Sequence, residues 1–310
     1  MVSVIIPNYN HSSFLEERIN SVLNQTYTDF EVLILDDCST DSSRAVIEPF
    51  RRHSKIAQIV YNEANSGSTF LQWIRGIDLA KGDFIWIAES DDLCSDLFLE
   101  RCIGFLMNKD CALSFTRSRI IDSNNRETGV FSGPLDGYTE DFVLDGKRLI
   151  EQFFCKANLI PNASAVVFRR GLFTKEIARE LIKFKINGDW FLWINLLLNK
   201  PCAYIPEPLN SFRRYNSSGS RKNIENFRNI EESMMISRFL QKKKFRSHGI
   251  RWIKAWISQA NYNLITLFRS NFFPIYKRSF RLFPLPMTLI LALVIAKKVR
   301  SLGLRISNEQ

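Results

Sequence analysis

Two pairs of adjacent aspartates each come shortly after an apolar run in the sequence. Asp36-Asp37 follows residues 30–35, and Asp91-Asp92 follows residues 84–88. Carboxylate oxygens are the ligands preferred by Mg²⁺ and Mn²⁺, which usually take one or two protein carboxylates and keep coordination sites for phosphate oxygens. An aspartate also accepts hydrogen bonds from nucleobase N–H groups, and acidic residues are favoured just before helices. Each pair is therefore consistent with a nucleotide or metal site, and equally with a helix cap.

The segments that must position these aspartates alternate between strand-like and helix-like patterns. Short apolar runs at residues 2–6, 30–35, 56–61 and 84–88 predict buried strands. A capping box at Ser13 and Glu16 predicts the start of a helix between the first two strands, and Gly82 predicts the end of a helix between the last two. The alternation predicts an α/β fold with a Rossmann-like, mostly parallel sheet flanked by helices.

Three polar turns follow predicted strands, at residues 7–10, 36–41 and 89–92. In doubly wound sheets, ligands bind beyond the carboxyl ends of the strands, and parallel strands end at the same edge. We therefore expect the three turns to meet in one crevice. The first turn, Pro-Asn-Tyr-Asn, lacks the G-x-G-x-x-G pattern of a dinucleotide-dependent oxidoreductase.

Taken together, in this order and spacing, the turns resemble those of the family 2 glycosyltransferases, which have the GT-A fold. The similarity extends from residue 1 to about residue 215, and the matching segments are VIIPNYN at 4–10, DDCSTD at 36–41, GIDLAKG at 76–82 and SDD at 90–92. The resemblance implies a metal-dependent, inverting transfer of a sugar from a nucleotide-diphosphate sugar, with Mn²⁺ or Mg²⁺ as the cofactor.

The resemblance also implies roles for particular residues of the nucleotide-sugar half, residues 1–110. Asp37 matches the family aspartate that contacts the nucleobase, and Pro7 and Tyr9 fall in the first nucleotide-binding turn. Asp91 and Asp92 match the motif that binds metal and diphosphate, with Asp92 expected to be the more direct metal ligand. The family often has an aspartate two or three places earlier, where this chain has Glu89 and Ser90, so the third acidic contributor stays open.

In the acceptor half, residues 111–220, the segment that begins Gly188-Asp189 resembles the one in which the family keeps its catalytic base. Asp189 is the match, and a carboxylate there would take the proton of the acceptor hydroxyl as it attacks the sugar. The alternative is that Asp189 only caps its helix, where the helix dipole would lower its basicity.

Two further features of the acceptor half bear on the diphosphate and on the product. Many relatives have an arginine followed closely by a histidine where this chain has Arg213-Arg214-Tyr215. Arg213 or Arg214 could neutralise the diphosphate, or the segment could be a solvated basic loop. The Gln-x-x-Arg-Trp motif of processive members is absent from this point of the sequence, which favours addition of a single sugar.

Residues 221–310 form a basic extension that we predict to be helical. They contain 18 lysines and arginines against 4 aspartates and glutamates, a net charge of +14. These charges alternate with bulky apolar residues, which favours an anionic membrane surface over nucleic acid as the partner. The apolar run at 285–296 has 12 residues, whereas roughly 20 are needed to span a bilayer. We expect peripheral attachment; the alternatives are docking on the catalytic domain or an oligomer contact.

The remaining composition narrows the choice of function. Six scattered cysteines without a C-x-x-C pair, together with three histidines, argue against a zinc site and indicate reduced thiols. The chain opens on an apolar strand without a signal sequence, which predicts a cytoplasmic protein. The resemblance to family 2 glycosyltransferases implies a glycan or lipid-linked acceptor in a surface polysaccharide pathway. The rival functions are a sugar-nucleotide nucleotidyltransferase and a non-catalytic membrane-bound scaffold.

Overall fold

The computed structural model describes residues 1–215 and 228–245. Contacts divide the chain into two compact units, Met1–Asn216 and Ser217–Gln310. The apolar run at 285–296 and most of the predicted basic extension lie outside the described residues.

The described secondary structure comprises ten strands and eight α-helices. The strands are β1 (Val2–Asn8), β2 (Phe30–Asp36), β3 (Ile56–Tyr61), β4 (Phe84–Ile87), β5 (Leu93–Cys94), β6 (Leu113–Ile121), β7 (Glu127–Val130), β8 (Phe142–Leu144), β9 (Val166–Arg169) and β10 (Cys202–Arg213). The helices are α1 (Ser12–Leu23), α2 (Ser43–Ile47), α3 (Thr69–Leu79), α4 (Phe98–Lys109), α5 (Gly146–Leu149), α6 (Lys175–Leu181) and α7 (Gly188–Leu197) in the first unit, and α8 (Arg228–Lys242) in the second. A π-helical segment, Ile150–Phe154, continues α5.

The ten strands form one mixed sheet in the order β3-β2-β1-β4-β9-β6-β10-β5, with β7 beside β6 and β8 beside β10. Strands β3, β2, β1 and β4 are mutually parallel, and β10 is parallel to β6. Strand β9 is antiparallel to both β4 and β6, so β6 points the same way as β4. The predicted α/β class, with a mostly parallel sheet flanked by helices, is confirmed for the described first unit, and the parallel strands end at one edge.

The register of the sheet brings the polar turns to the same level. Asn8 at the end of β1 lies opposite Asp36 at the end of β2, and Asp36 lies opposite Tyr61 at the end of β3. Beneath this edge, apolar residues of α1 and α4 pack on one face of the sheet in a continuous buried core. Burial of this apolar surface supplies most of the stability that holds the turns in place.

The start of α1 differs from the prediction. The helix begins at Ser12, one residue before Ser13, and its cap residue His11 makes no side-chain capping hydrogen bond. Instead, Asp41 in the turn after β2 accepts a hydrogen bond from the Ser12 backbone N–H at 2.9 Å. Asp41 also accepts one from the Ser43 N–H at the start of α2, at 2.9 Å. A capping side chain from a distant turn thus replaces the local capping box, and it ties both helices to the site edge.

Gly82 does not end α3, which stops at Leu79. A Cβ atom at Gly82 would lie 2.7 Å from both the Met1 carbonyl oxygen and the Ser3 nitrogen of the chain entering β1. The Gly82 N–H donates to Ser3 Oγ at 2.8 Å. Glycine is required here because the backbone passes directly against β1, rather than because a helix must be terminated.

The second half of the sheet supports helix α7, whose first turn carries Asp189. A Cβ atom at Gly188 would come within 2.5 Å of the Phe70 ring of α3. The start of α7 therefore packs directly against α3 on one face of the sheet. On the same face, Trp193 of α7 lies against Phe168 of β9, with ring centroids 5.9 Å apart.

Candidate active site

The turns after β1 and β2 brace each other at the site edge. Asn10 adopts a left-handed φ of 57°, and its Oδ1 accepts a hydrogen bond from the Thr40 N–H at 2.8 Å. Ser39 Oγ in turn accepts one from the Asn10 N–H at 2.9 Å. Pro7 is buried at the end of β1, whereas Tyr9 is 45% exposed and presents its ring to solvent. The first two predicted turns therefore meet.

Asp37 is 4% exposed and accepts four hydrogen bonds from the protein. Its Oδ1 accepts from Asn62 Nδ2 at 2.6 Å, from the Ser66 N–H at 2.9 Å and from Gln72 Nε2 at 2.7 Å. Its Oδ2 accepts from Ser66 Oγ at 2.7 Å. Since each carboxylate oxygen has two lone pairs, Oδ2 retains one for a further donor. Asp37 thus organises the turn after β3 and keeps one acceptor position.

The residues that hold Asp37 were missed by the sequence analysis. Asn62 comes directly after β3, and residues 62–68 form a fourth polar turn at the same edge. We expected the polar turns that follow the other parallel strands to meet at one sheet edge, and the same reasoning would have indicated this turn. Gln72 lies on α3 and is 3% exposed, and no local pattern of the sequence distinguishes it.

Asp92, the last residue of the third turn, is buried and only 2% exposed. Its Oδ1 accepts a hydrogen bond from the Arg213 backbone N–H at 2.9 Å, and its Oδ2 accepts one from Asn162 Nδ2 at 2.5 Å. Both donors come from the second half of the chain. Asp92 therefore joins the two halves of the domain at the site edge.

Asp91 and Glu89 are more accessible than Asp92. Asp91 is partly exposed, and its Oδ2 accepts a hydrogen bond from Tyr215 Oη at 3.0 Å. Glu89 Oε1 accepts from Trp73 Nε1 at 2.8 Å, while the Glu89 N–H donates to Ser164 Oγ at 3.0 Å. Asp91 is thus the more accessible of the two aspartates, and direct metal ligation by Asp92 stays a prediction.

Burial and the nearby negative charge change the ionisation of Glu89 and Asp92. Burial, followed by the negative charge of Asp91, raises the pKa of Glu89 to about 8. The same two causes, burial first, raise the pKa of Asp92 to about 7. A divalent cation among these oxygens would offset the repulsion between them.

The acidic cluster, Glu89, Asp91 and Asp92, fits a metal ion that is shared with the substrate. The described residues contain no group of three or more His, Cys, Asp or Glu side chains arranged to hold a metal by themselves. Mg²⁺ and Mn²⁺ commonly use one or two carboxylates and complete their coordination with phosphate oxygens and water. The donor set therefore suits an ion that arrives with a diphosphate.

Arg213 does not have the diphosphate-neutralising position considered for it. Its side chain is fully buried and donates to the backbone carbonyl oxygens of Asp91 at 2.6 Å and Asp122 at 2.7 Å. The guanidinium lies 4.5 Å from the centroid of the Phe14 ring. Arg213 thus fixes the third turn from below. The Arg214 guanidinium lies near two aromatic rings, and its distance from the ring centroid of Phe212 is 5.2 Å.

Tyr215 and His11 form a bridge over the third turn. Tyr215 Oη lies 3.2 Å from His11 Nε2, in addition to its bond to Asp91. The other ring nitrogen, His11 Nδ1, lies 2.8 Å from Ser90 Oγ. Burial, followed by the charge of Asp91, raises the pKa of Tyr215, so its hydroxyl stays protonated and donates. The site thus contains a histidine that the sequence analysis did not assign.

A buried arginine, Arg18, lies under the acidic cluster and was also missed. It is fully buried, and its guanidinium lies 5.0 Å from the Trp86 ring centroid. Its positive charge opposes the rise in pKa of Glu89 and Asp92. Arg18 shares the α1 stripe of the buried residues Leu15, Ile19 and Val22. The spacing of Arg18 within this apolar stripe could have indicated its burial, because a buried charge requires a partner.

Asp189 lies in the first turn of α7, and its carboxylate accepts hydrogen bonds from Asn158 and Trp190. Its Oδ2 accepts from Asn158 Nδ2 at 2.9 Å, and its Oδ1 accepts from the Trp190 N–H at 2.7 Å. Four residues after Asn158, Asn162 donates to Asp92. A five-residue segment, 158–162, therefore connects the candidate base with the acidic cluster.

Sequence relatives of the chain are glycosyltransferases. It is 28% identical over 219 residues to TuaG of Bacillus subtilis, which is provisionally assigned to teichuronic acid biosynthesis, and the match covers 70% of this chain and 81% of TuaG. It is 30% identical over 190 residues to an uncharacterised glycosyltransferase of Nostoc, with coverage of 61% of this chain and 56% of that protein. It is also 33% identical over 108 residues to TarS of Staphylococcus aureus, a poly(ribitol-phosphate) β-N-acetylglucosaminyltransferase; this match covers 34% of this chain and 18% of TarS.

Solved structures share the fold at low sequence identity. The structure of Staphylococcus aureus TarS 1–349 with UDP-GlcNAc superimposes with a TM-score of 0.63 at 16% identity, covering 93% of this chain and 83% of that one. The mannosyltransferase PcManGT of Pyrobaculum calidifontis, solved with GDP-Man and Mn²⁺, superimposes with a TM-score of 0.53 at 12% identity, covering 99% of this chain and 81% of that one. Residues 3–182, more than half of the chain, match the family described as Glycosyl transferase family 2, and the protein therefore belongs to this family of GT-A glycosyltransferases.

Proposed function

We propose that this protein transfers a single sugar, with inversion, from a nucleotide-diphosphate sugar to a glycan or lipid-linked acceptor during synthesis of a surface polysaccharide. The observation that carries the proposal is the meeting of the Asp37 turn and the acidic cluster at one sheet edge. Family membership supports the reaction class. The relatives assigned to teichuronic acid and poly(ribitol-phosphate) support the pathway class.

The donor would lie along the site edge from Asp37 to the acidic cluster. The remaining lone pair of Asp37 Oδ2 would accept a hydrogen bond from the nucleobase, since three protein donors already occupy Oδ1. Tyr9, 45% exposed beside buried Pro7, offers a ring face to the nucleoside. UDP-GlcNAc and GDP-Man, the donors bound by the two solved structures, are both consistent with this arrangement.

Asp91 would hold Mn²⁺ or Mg²⁺ together with the diphosphate, and Asp92 would contribute from beneath. A bound divalent ion would neutralise the charge that develops on the departing nucleoside diphosphate. Asp91 is partly exposed and accepts from the Tyr215 hydroxyl, whereas Asp92 is 2% exposed and accepts from Asn162 and Arg213, so Asp91 is the more accessible of the two. Glu89 is the third carboxylate of the cluster, and its bond to Trp73 fixes its position.

Asp189 would act as the base. A carboxylate in this position takes the proton from the acceptor hydroxyl as its oxygen attacks the anomeric carbon, on the face opposite the leaving nucleotide. Asn158 donates to Asp189 Oδ2 and so orients the carboxylate. The N-cap of α7 is Asn187, so a purely structural role for Asp189 would be a favourable interaction with the helix dipole in the first turn, and substitution of Asp189 separates the two roles.

The basic extension, residues 221–310, would attach the enzyme peripherally to the cytoplasmic face of an anionic membrane. Its net charge of +14 supports this proposal. No helix among the described residues is long and apolar enough to cross a bilayer. Deleting residues 270–310 should shift the protein from the membrane fraction to the soluble fraction; persistence in the membrane fraction would contradict the proposal.

A product assay separates the proposed function from its rivals. The protein is incubated with Mn²⁺ and a panel of UDP-, GDP- and dTDP-sugars, and the nucleotide product is measured. A glycosyltransferase releases a nucleoside diphosphate, slowly with water and faster with a glycan acceptor. Release of pyrophosphate from a nucleoside triphosphate and sugar phosphate would identify a nucleotidyltransferase, although residues 7–20 contain none of the glycines its phosphate loop would need. No turnover with any donor, and no effect of Asp92→Ala on donor binding, would identify a scaffold.

A further inference from the structure

Two buried residues near the start of α3 hold two different parts of the candidate site. Gln72 Nε2 donates to Asp37 Oδ1 at 2.7 Å. Trp73 Nε1 donates to Glu89 Oε1 at 2.8 Å. Because both donors belong to one helix, the start of α3 fixes the Asp37 turn and the acidic cluster relative to each other.

Phe70, on the same helix, links Trp73 to the start of α7. Its ring is 2% exposed and packs edge-on against Trp73, with ring centroids 4.9 Å apart and ring planes at 86°. The ring also lies directly against the backbone of Gly188, where a Cβ atom would be 2.5 Å from Phe70 Cζ and 2.6 Å from Cε2. A series of contacts therefore runs from Glu89 through Trp73 and Phe70 to the residue that precedes Asp189.

The close approach at Gly188 depends on the missing side chain. The backbone there is not in the left-handed region, so glycine serves space rather than conformation. Eight of the ten residues of α7 are buried, and a close-packed interior transmits strain rather than absorbing it. A methyl group at Gly188 would therefore displace either the Phe70 ring or the first turn of α7, and Asp189 with that turn.

Lys185 makes a second connection between the same two regions. Its Nζ donates to the Gly67 carbonyl oxygen at 2.6 Å. Gly67 follows Ser66, which donates twice to Asp37, through its N–H and its Oγ. The segment that leads into α7 is thus attached to the turn at Asp37, independently of the Phe70 contact.

We propose that Phe70 is a positioning residue for sugar transfer, and that its ring sets the distance between Asp189 and the donor-binding groups held by Gln72 and Trp73. The inference deepens the proposed function and rests on it, because it takes Asp189 as the base. Transfer requires the base, the acceptor oxygen and the anomeric carbon to be aligned, and a misplacement of about 1 Å can lower the rate about 10²-fold. Phe70 acts on the reaction only through the position of Asp189.

Paired substitutions in the full-length protein test the proposal, with release of nucleoside diphosphate from the panel of UDP-, GDP- and dTDP-sugars in Mn²⁺ as the assay. Gly188→Ala should lower kcat about 10²-fold, because its methyl group overlaps with the Phe70 ring. Phe70→Leu alone should lower kcat about tenfold, yet in the double variant it should restore activity relative to Gly188→Ala, because the smaller side chain makes room for the methyl group. UDP affinity should stay unchanged throughout. Gly104→Ala is the matched control, since Gly104 is an exposed glycine of α4 whose added Cβ would have no atom within 4 Å.

A second series in the Asp189→Asn background separates positioning from packing. If Phe70 acts through the base, Phe70→Leu should have no further effect on kcat once the base is removed. Its effect on the unfolding temperature should be the same in both backgrounds, because that effect reports only the packing of the ring.

The outcomes distinguish this inference from the proposed function. If the wild type is active and Asp189→Asn slows it, but Phe70→Leu keeps the wild-type kcat or lowers kcat equally in both backgrounds, the positioning role is overturned and the transferase function stands. If Gly188→Ala does not fold, the two Phe70→Leu measurements decide by the same criteria. If the wild type turns over no donor, or Asp189→Asn is as fast as the wild type, the proposed function fails at that step and the inference fails with it.

Discussion

The two halves of the catalytic domain hold their candidate site residues in different ways. In residues 1–110, parallel strands end at one edge, and the side chains there are fixed by dense local contacts, as with the four hydrogen bonds to Asp37. In residues 111–215, the antiparallel strand β9 separates β4 from β6, and the contacts to the site come from isolated residues such as Asn158, Asn162 and Arg213. Under the proposed function, the first half would hold the donor and the second half would orient the reaction. Substitutions in the two halves should therefore affect different kinetic constants.

Asp189→Asn should have the largest effect. Loss of the base should lower kcat for transfer by about 10²–10⁴-fold and leave the affinity for UDP unchanged, because the donor contacts lie in the first half. Steady-state kinetics with the preferred donor and acceptor, together with UDP titration, measure both quantities. Glu180→Gln, at an exposed position on the preceding helix α6, is the matched control. Transfer at the wild-type rate would leave Asp189 with only a structural role in the first turn of α7.

Asn162→Ala should have an intermediate effect. Although Asn162 belongs to the second half, its substitution should affect donor binding, which we assign to the first half. It removes the donor to Asp92 Oδ2, and leaving a buried carboxylate oxygen without a partner costs about 1–3 kcal/mol. We expect weaker donor binding in the presence of Mn²⁺ and a lower unfolding temperature. Asn158→Ala, the companion variant on the same segment, should lower kcat instead. Identical kinetic profiles for the two variants would contradict the separate roles of the segment's two ends.

Gln72→Leu should have a smaller effect, confined to the donor half. It removes one of the three donors to Asp37 Oδ1, so the carboxylate is held less firmly in the orientation that would accept from the nucleobase. We expect UDP affinity to fall several-fold, by roughly 1 kcal/mol, with kcat at saturating donor unchanged. Isothermal titration with UDP makes the comparison, and Leu71→Ala, at an exposed neighbouring position, is the control. A fall in kcat alone would show that the halves are not separable in this way.

Glu89→Gln should have the smallest effect on activity, and its main readout is the pH dependence of stability. The pKa of Glu89 is about 8 in the folded protein against an ordinary value of 4.5, so the folded state binds more protons between these values. Metal-free stability should therefore fall as pH rises from about 4.5 to about 8, and Glu89→Gln should flatten this decline. Thermal unfolding in EDTA at a series of pH values measures it. Parallel curves for the variant and the wild type would contradict the assigned pKa.

The sequence predicted the first half better than the second for physical reasons. Apolar strands with polar turns define a parallel sheet edge, so the meeting of the first three turns followed from the pattern alone. The true cap of α1 could not be predicted, because Asp41 reaches it from another turn. The partners Asn162 and Arg213 were equally hidden, since strand β9 and the length of β10 set their positions. The burial of Arg18, by contrast, could have been predicted from its position in the apolar stripe of α1.

Binding of sugar nucleotides in the presence and absence of Mn²⁺ tests the central claim most directly, that the Asp37 turn and the acidic cluster together hold one nucleotide-diphosphate sugar. Calorimetric titration of the wild-type protein with UDP- and GDP-sugars should show saturable binding of at least one donor, tightened by Mn²⁺. In Asp91→Asn the tightening by Mn²⁺ should disappear, while in Asp96→Asn, an exposed aspartate on the same connection, it should persist. Absence of binding for every donor with Mn²⁺ present, or equal tightening by Mn²⁺ in Asp91→Asn and the wild type, would contradict the account.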